Sequence, residues 1–348
     1  MKLPVVRTIV TWVSLVGALL LLAGYLVAAY NNQPAIVPVH ERLLTPHDQL
    51  LAIALPDSAS GIITGSDGLI LRTTDAAKHW SVVPSPTRET LTTVSFANSQ
   101  EGVIGGSRGT IVTSIDGGRR WIQHATGTEQ RLLKVQALDA EHEYATGAFG
   151  TFLTSTDGGN KWLSHKFDWN RLIPKIISEF GYLEPNLNSV FFVTPSVGWI
   201  VGEFGLILHT ADGGETWQAA QYGQDLPQLY DIVFKDPQSG WIVGQSGALL
   251  ETTDGGKSWR HLFLTQKTLE AIAIRNDGVI AVGDGLALNL SPAASNVVGI
   301  PSLTGATLSG IALNSSEAVA VGAFGTILYI PAPDLVNSDE KPTSLTLR

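Results

Sequence analysis

The stretch GWIVGQSGALLETTDGGKSW, residues 240–259, restates with few changes GWIVGEFGLILHTADGGETW, residues 198–217. Working outward, the same sentence occurs as GIITGSDGLILRTTDAAKHW from Gly61, GVIGGSRGTIVTSIDGGRRW from Gly102 and YATGAFGTFLTSTDGGNKW from Tyr144. Shorter copies follow as VIAVGDGLALNL from Val279 and AVAVGAFGTILYI from Ala318. The corresponding glycines, Gly65, Gly106, Gly147, Gly202, Gly244, Gly283 and Gly322, are spaced by 41, 41, 55, 42, 39 and 39 residues. A period near 40 identifies a repeated supersecondary unit that must stack on its neighbours to bury a core.

Each unit reads as four short strands. In the clearest copy these are LYDIVF (229–234), WIVG (241–244), ALLETT (248–253) and WRHLFL (259–264), joined by KDPQSG, QSG and DGGKS. Such connectors supply the positive φ and local side-chain turns that tight antiparallel hairpins need. One meander cannot bury both of its faces, whereas seven packed in a ring can. The expectation is an all-β, seven-bladed β-propeller over residues 35–332 with an insertion at 164–186, a flexible tail at 333–348, and a membrane anchor and linker at 1–34. The last copy runs into PAPDLVNSDEKP, which is poor strand material, so AIVPVHERL (35–43) is expected to supply the outer strand of the seventh blade.

Composition agrees with a β-rich globular chain: of 348 residues 36 are glycine, 44% are apolar and only 15% are charged. A net charge of −9 argues against general binding to nucleic acid. There are no cysteines, which excludes disulfides, thiolate catalysis and Cys-ligated metals. Residues 9–29, IVTWVSLVGALLLLAGYLVAA, form an uncharged run of 21, long enough as a helix to cross a hydrocarbon core of about 30 Å. Lys2 and Arg7 precede it, so the N-terminus is expected in the cytoplasm and the rest of the chain outside it. A cleaved signal peptide ending at Val27-Ala28-Ala29 is the alternative.

Five copies carry Ser/Thr-x-Asp-x-x-x-x-Trp, with Asp75, Asp116, Asp157, Asp212 and Asp254 five residues ahead of Trp80, Trp121, Trp162, Trp217 and Trp259. This is the Asp-box of sialidase-type propellers. A catalytic carboxylate is needed once, at one pocket, so an aspartate recurring in register on five blades is expected to hold its own turn while the Trp packs between blades. The first box, TTDAAKHW, lacks both glycines and is expected to have an altered turn. A sialidase-like glycoside hydrolase is the competing function. It would need an arginine cluster announced by Phe/Tyr-Arg-Ile-Pro, and RLIP at Arg171–Pro174 lies mid-chain inside the insertion. The eight histidines show no metal-binding spacing, so no metal and no cofactor are expected.

The Gly-Trp-x-Val-Gly-x-x-Gly-x-Ile/Leu-Leu-x-Thr-x-Asp-Gly-Gly-x-x-Trp units, best matched at 198–217 and 240–259, resemble the photosystem II stability and assembly factor propellers and their homologues in non-photosynthetic bacteria. The likeness runs over roughly residues 40–330. It implies a propeller that is not an enzyme, binds newly made membrane proteins and helps them assemble. Relatives in non-photosynthetic bacteria imply envelope clients, including transporters of the resistance-nodulation-division type. It also implies a positive patch, for which Arg72, Arg108, Arg119, Arg120 and Arg131 are the candidates here. A sensor that binds a small ligand or lipid in the central channel is a further alternative.

The 55-residue gap places an insertion at SHKFDWNRLIPKIISEFGYLEPN, 164–186. Leu172, Ile173, Ile176, Ile177 and Phe180 fall on one helical face, Pro174 suits a first turn and Gly181 a stop. The expectation is a short amphipathic helix that either packs on the third or fourth blade or offers Trp169, Arg171, Ile176, Phe180 and Tyr182 to a partner.

Overall fold

The computed structural model describes residues 47–331 apart from 182, 224, 276–277, 291–294, 300–305 and 315–316. The anchor, the closing strand at 35–43 and the C-terminal tail fall outside the described residues. Among the described residues no helix is long and apolar enough to cross a membrane.

Seven antiparallel sheets follow one another along the chain: residues 50–82, 91–124, 132–165, 187–221, 229–261, 269–299 and 308–331. In the first six, strand order follows chain order over four strands, and the seventh has three among the described residues. The fold is a seven-bladed β-propeller. In the fifth blade the first three strands are Leu229–Phe234, Gly240–Gly244 and Leu249–Thr252, but the fourth is only Arg260–His261. It is shorter than expected because Leu262 and Leu264 turn into the apolar contact with the sixth blade.

Every innermost strand opens with leucine: Leu50, Leu91, Leu132, Leu187, Leu229, Leu269 and Leu308, each at most 1% exposed. These seven pair with the seven register glycines, after which the ladder skips one residue, as in Leu50 with Gly65 and then Ala52 with Thr64. The glycines are required by close approach. A Cβ at Gly65 would lie 2.2 Å from the Gln49 carbonyl oxygen, and one at Gly283 would lie 2.0 Å from that of Thr268. The inner strands thus start with a bulge that turns their second residue toward the axis.

Between blades the core is continuous. Trp121 of the second blade packs with Ile62 and Ile70 of the first, and Trp217 of the fourth with Tyr144 and Phe152 of the third. Trp162 lies against the cluster that joins the second and third blades, and Trp259 against that of the fourth and fifth. Blades one and seven meet through Leu50, Ile63, Val319 and Val321. There the Trp80 indole donates to the Tyr329 hydroxyl at 3.4 Å, and that hydroxyl donates to the Ala77 carbonyl at 2.5 Å.

The insertion forms two short helices, α1 (Trp169–Leu172) and α2 (Pro174–Phe180). The expected single helix breaks at Ile173, at φ −133° and ψ 52°, because the residue before a proline is driven out of the helical region. Asp168 caps α1 by accepting from Arg171 N–H at 3.2 Å, and Gly181, at φ 80°, ends α2. Trp169, Leu172, Ile173 and Ile176 are 6%, 8%, 1% and 2% exposed and join the core of blades three and four.

Candidate functional site

The antiparallel meander sorts the loops onto two faces. Asp-box turns lie where the inner strands end: Gly117, Gly158, Gly213 and Gly255 each donate a backbone N–H to the loop joining their own blade's first two strands, at 2.8–3.2 Å. Turns between second and third strands lie at the opposite face, beside the chain that enters their own blade's inner strand, as Ser66 N–H to Gln49 C=O at 3.0 Å shows.

On the box face the carboxylates are occupied by their own turns. Asp116 accepts from the Ser114 hydroxyl and the backbone of Arg119 and Arg120, all at 3.0 Å. Asp157 accepts from Ser155 at 3.0 Å and Lys161 N–H at 2.9 Å. Hydrogen bonds from Thr216, side chain then backbone, hold Asp212 down to about 2, and those from Ser258 do the same for Asp254. In the first box Asp75 accepts from Thr73, at 2.8 Å, and from His79 N–H at 3.0 Å, with the His79 ring at 2.6 Å. The backbone of this turn is kept, with Ala76 and Ala77 at φ of 61° and 65°, the left-handed geometry that glycines provide in the other boxes, while its bonding is altered: Trp80 donates to Tyr329 where Trp121, Trp162 and Trp217 donate within their own boxes. The register of the hairpin, fixed by Asp75 and by the buried Ala77, overrides the alanines' preference.

The opposite face surrounds the mouth of the central channel, a cavity of about 140 Å³. Here the bulged second residues converge, among them Thr92, Asn188, Tyr230 and Glu270. One step deeper, Lys134 of the third blade reaches Asp231 of the fifth at 2.7 Å. Asp231 is 5% exposed and also accepts from the Ser189 hydroxyl at 2.8 Å and from the backbone of Ile232 and Ile272 at 3.1 and 3.2 Å. Burial, and then the charge of Asp284, raises the Glu270 carboxyl above the ordinary range. Burial followed by Glu270, Asp284 and Glu203 raises the Tyr230 phenol. One sector of the mouth is therefore acidic.

Around this mouth stand exposed apolar side chains. Phe149 (63%) and Phe324 (57%) occupy turn apices at φ 52° and 61°, and Phe263 (85%) and Leu226 (37%) lie on the connections into the sixth and fifth blades. Placing a phenylalanine in the left-handed region costs about 1–2 kcal/mol, which makes its exposure there notable. The repeat carried this signal in GAFGTFL (147–153) and GAFGTIL (322–328), where an apolar ring replaces the Asp67, Arg108 or Ser246 of other copies. Lys134 and Asp231 are marked in the sequence too, each as the second residue after a leading leucine.

The candidate partner residues do not form one surface. Trp169 and Ile176 are core residues, so the packing alternative holds for them, while Arg171 is exposed. The side chains of Phe180 and Tyr182 lie outside the described ones. Arg108 and Arg131 are exposed on the mouth face, Arg108 between Glu89 at 3.7 Å and Glu129 at 3.5 Å. Arg72 reaches instead toward the second blade's box, donating to the Gly117 carbonyl at 2.7 Å, and Arg119 and Arg120 belong to that box turn. The five arginines are divided between two faces. Among the described residues no group of acidic and histidine side chains could hold a metal ion.

Comparison with known proteins agrees with this architecture. The family model described as photosynthesis system II assembly factor YCF48 matches residues 119–228 and 225–288. The solved structure of YCF48 bound to D1 peptide is similar at TM-score 0.65 and 16% identity, covering 86% of this chain and 99% of that one. YCF48 from Cyanidioschyzon merolae is similar at TM-score 0.68 and 21% identity, covering 85% and 98%. A Niastella koreensis GH74 enzyme shares the fold at TM-score 0.59 and 14% identity, covering 82% of this chain and 43% of that one. No curated protein sequence matches the chain significantly. Over residues 119–288 the chain matches the photosystem II assembly factor YCF48 family, and its fold is that of the YCF48 propellers.

Proposed function

We propose that this chain is a non-catalytic propeller that receives an extended segment of a membrane protein on its mouth face and so assists assembly of an envelope complex. The observation that carries the reading is the set of exposed rings, Phe149, Phe263 and Phe324, around a polar channel on one face. Aromatic side chains held on a rigid scaffold are the usual anchors of protein interfaces. The likeness to YCF48 solved with a D1 peptide supports a peptide-like ligand. Against a hydrolase stands the state of the carboxylates: those of the boxes are bonded within their turns, and Asp231 is neutralised by Lys134.

The wider setting is part of the same proposal. Residues 9–29 would tether the propeller to the inner membrane with its bulk in the periplasm, and a resistance-nodulation-division transporter is one client of suitable location. The test is capture of the full chain from crosslinked native membranes. Replacing Phe149, Phe263 and Phe324 by Ser should abolish recovery of an integral membrane partner, while Leu163→Ser on an outer strand should not. Equal recovery with both variants would refute the mouth as the binding face.

A further inference from the structure

Blades four and five carry the same side-chain positions on their outer strands, filled differently. In blade five, Trp241 lies opposite Glu251 on the third strand, and Glu251 opposite Arg260 on the fourth. The Trp241 indole donates to one oxygen of Glu251 at 3.2 Å, and the Arg260 guanidinium donates to the other. The corresponding residues of blade four are Trp199, His209 and Gln218. That row has the indole and lacks the carboxylate. Trp199 is 1% exposed and its N–H has no acceptor, and the His209 ring lies 5.2 Å away, tilted by 44°.

A second donor is unmatched at the same seam. Trp121, Trp162 and Trp217 each donate to the carbonyl of their own box's second glycine, at 3.2, 3.0 and 3.0 Å. Trp259 makes no such bond. The Trp199 edge sits against that box, so close that a Cβ on Gly256 would lie 2.6 Å from its nitrogen. Beside these groups opens a groove of about 410 Å³ between blade four and the box of blade five, lined by Trp199, His209, Gln218, Gln238, Asp254 and Lys257. Asp254 is the one acidic residue of this lining, and both its oxygens accept within the turn, from Thr252 and Ser258. The other polar groups can all donate, and a buried donor without an acceptor carries the full penalty of its desolvation.

We propose that this groove binds the carboxylate of a short apolar acid, placed as the Glu251 carboxylate is placed one blade further on. Trp199 supplies the fixed N–H, Lys257 the charge and His209 a second donor once protonated, while Val197 and Pro237 offer the tail an apolar wall. Burial holds the His209 imidazole below its ordinary value, so a bound anion raises it, and binding weakens as pH rises through that titration. The ligand chemistry is common to a peptide C-terminus and a free organic acid. The site lies on the box side of the ring and stands apart from the mouth, so either reading can fail alone.

The test uses the full chain and three probes: N-acetyl-Ala-Leu as the free acid, its C-terminal amide, and valerate. The acid is expected to quench tryptophan fluorescence saturably and raise the His209 pKa by NMR, with the amide at least about 10-fold weaker. Valerate binding as well as the peptide acid assigns a free organic acid; valerate without effect assigns a peptide end. The double substitution His209→Glu and Gln218→Arg rebuilds the blade-five row in blade four and should abolish binding with thermal unfolding unchanged. Lys257→Met, at an exposed position, should weaken binding about 10-fold and serves if the double variant fails to fold. Equal binding of acid and amide, or no saturable change with any probe at millimolar concentration, overturns the proposal.

Discussion

Lys134 and Asp231 belong to blades three and five yet meet at 2.7 Å, with Ser189 of the intervening blade bonded to the same carboxylate. Three blades are thereby tied at the axis, beyond what nearest-neighbour packing provides. Side-chain exposures of 33% and 6% put the ammonium near solvent and the carboxylate in the interior.

Removing the lysine should therefore cost more than removing both charges. Lys134→Met leaves Asp231 buried without its cation, and allowing for the solvent that screens Lys134, a loss of about 2 kcal/mol is expected. Adding Asp231→Asn to it should restore part of that loss. Urea unfolding of the single and double variants measures both.

Glu143 gives the fold an unusual pH dependence. It stands where blades one, two, four and five have Gly61, Gly102, Gly198 and Gly240, and Ala137 opposite it replaces the phenylalanine that fills this space in blades two, four and five. The carboxyl is 5% exposed, one oxygen has no hydrogen-bond partner, and burial, then Asp157 and Glu101, raise it from an ordinary 4.5 to about 7. The folded state thus holds its proton longer than the unfolded chain, and stability falls as pH rises from 4.5 to about 7 and stays lower above. The shift corresponds to about 3 kcal/mol. Glu143→Gln should flatten that fall and stabilise by roughly 2 kcal/mol at about pH 8 with no gain at about pH 4.5, as read from urea midpoints. The box aspartates act in the opposite sense: their depressed values mean stability present above the ordinary carboxylate range and lost as pH drops toward about 2.

The first box holds two alanines in glycine geometry, and the strain can be relieved. Ala76, at φ 61° and half-buried, should gain about 0.5–1 kcal/mol on replacement by glycine. The reverse change in the second box, Gly118→Ala, should cost 2 kcal/mol or more by rough estimate, since its Cβ would also lie 2.5 Å from Ile62 Cδ1. Thermal unfolding of the two variants checks the contrast.

Much of this fold was legible because a ring of blades repeats its constraints. The register glycines gave blade number and phase, and the Asp-x-x-x-x-Trp spacing gave the box turns with their packed indoles. Periodicity is blind to what happens once. Glu143 in a glycine's place, Lys134 paired across a blade and Trp199 without its carboxylate are departures from the repeat, each meaningful only against neighbours that lie far apart in the chain. The arginines failed as a patch for a related reason: Arg72 and Arg108 occupy different positions of the meander, and position within the blade, not nearness in sequence, selects the face. The insertion's apolar stripe is legible as helical spacing, and the core of blades three and four takes up its part from Leu172 to Ile177.

The central claim, that the mouth face engages a membrane protein, is tested most directly by a photo-crosslinking residue placed at Phe324 or Phe149 and, as controls, at Leu163 or Ile122 on the outer strands, followed by irradiation of intact cells. The account predicts a crosslinked integral membrane protein from the mouth positions and none from the outer ones. Crosslinks confined to the outer positions, or no adduct from any mouth position, would contradict it.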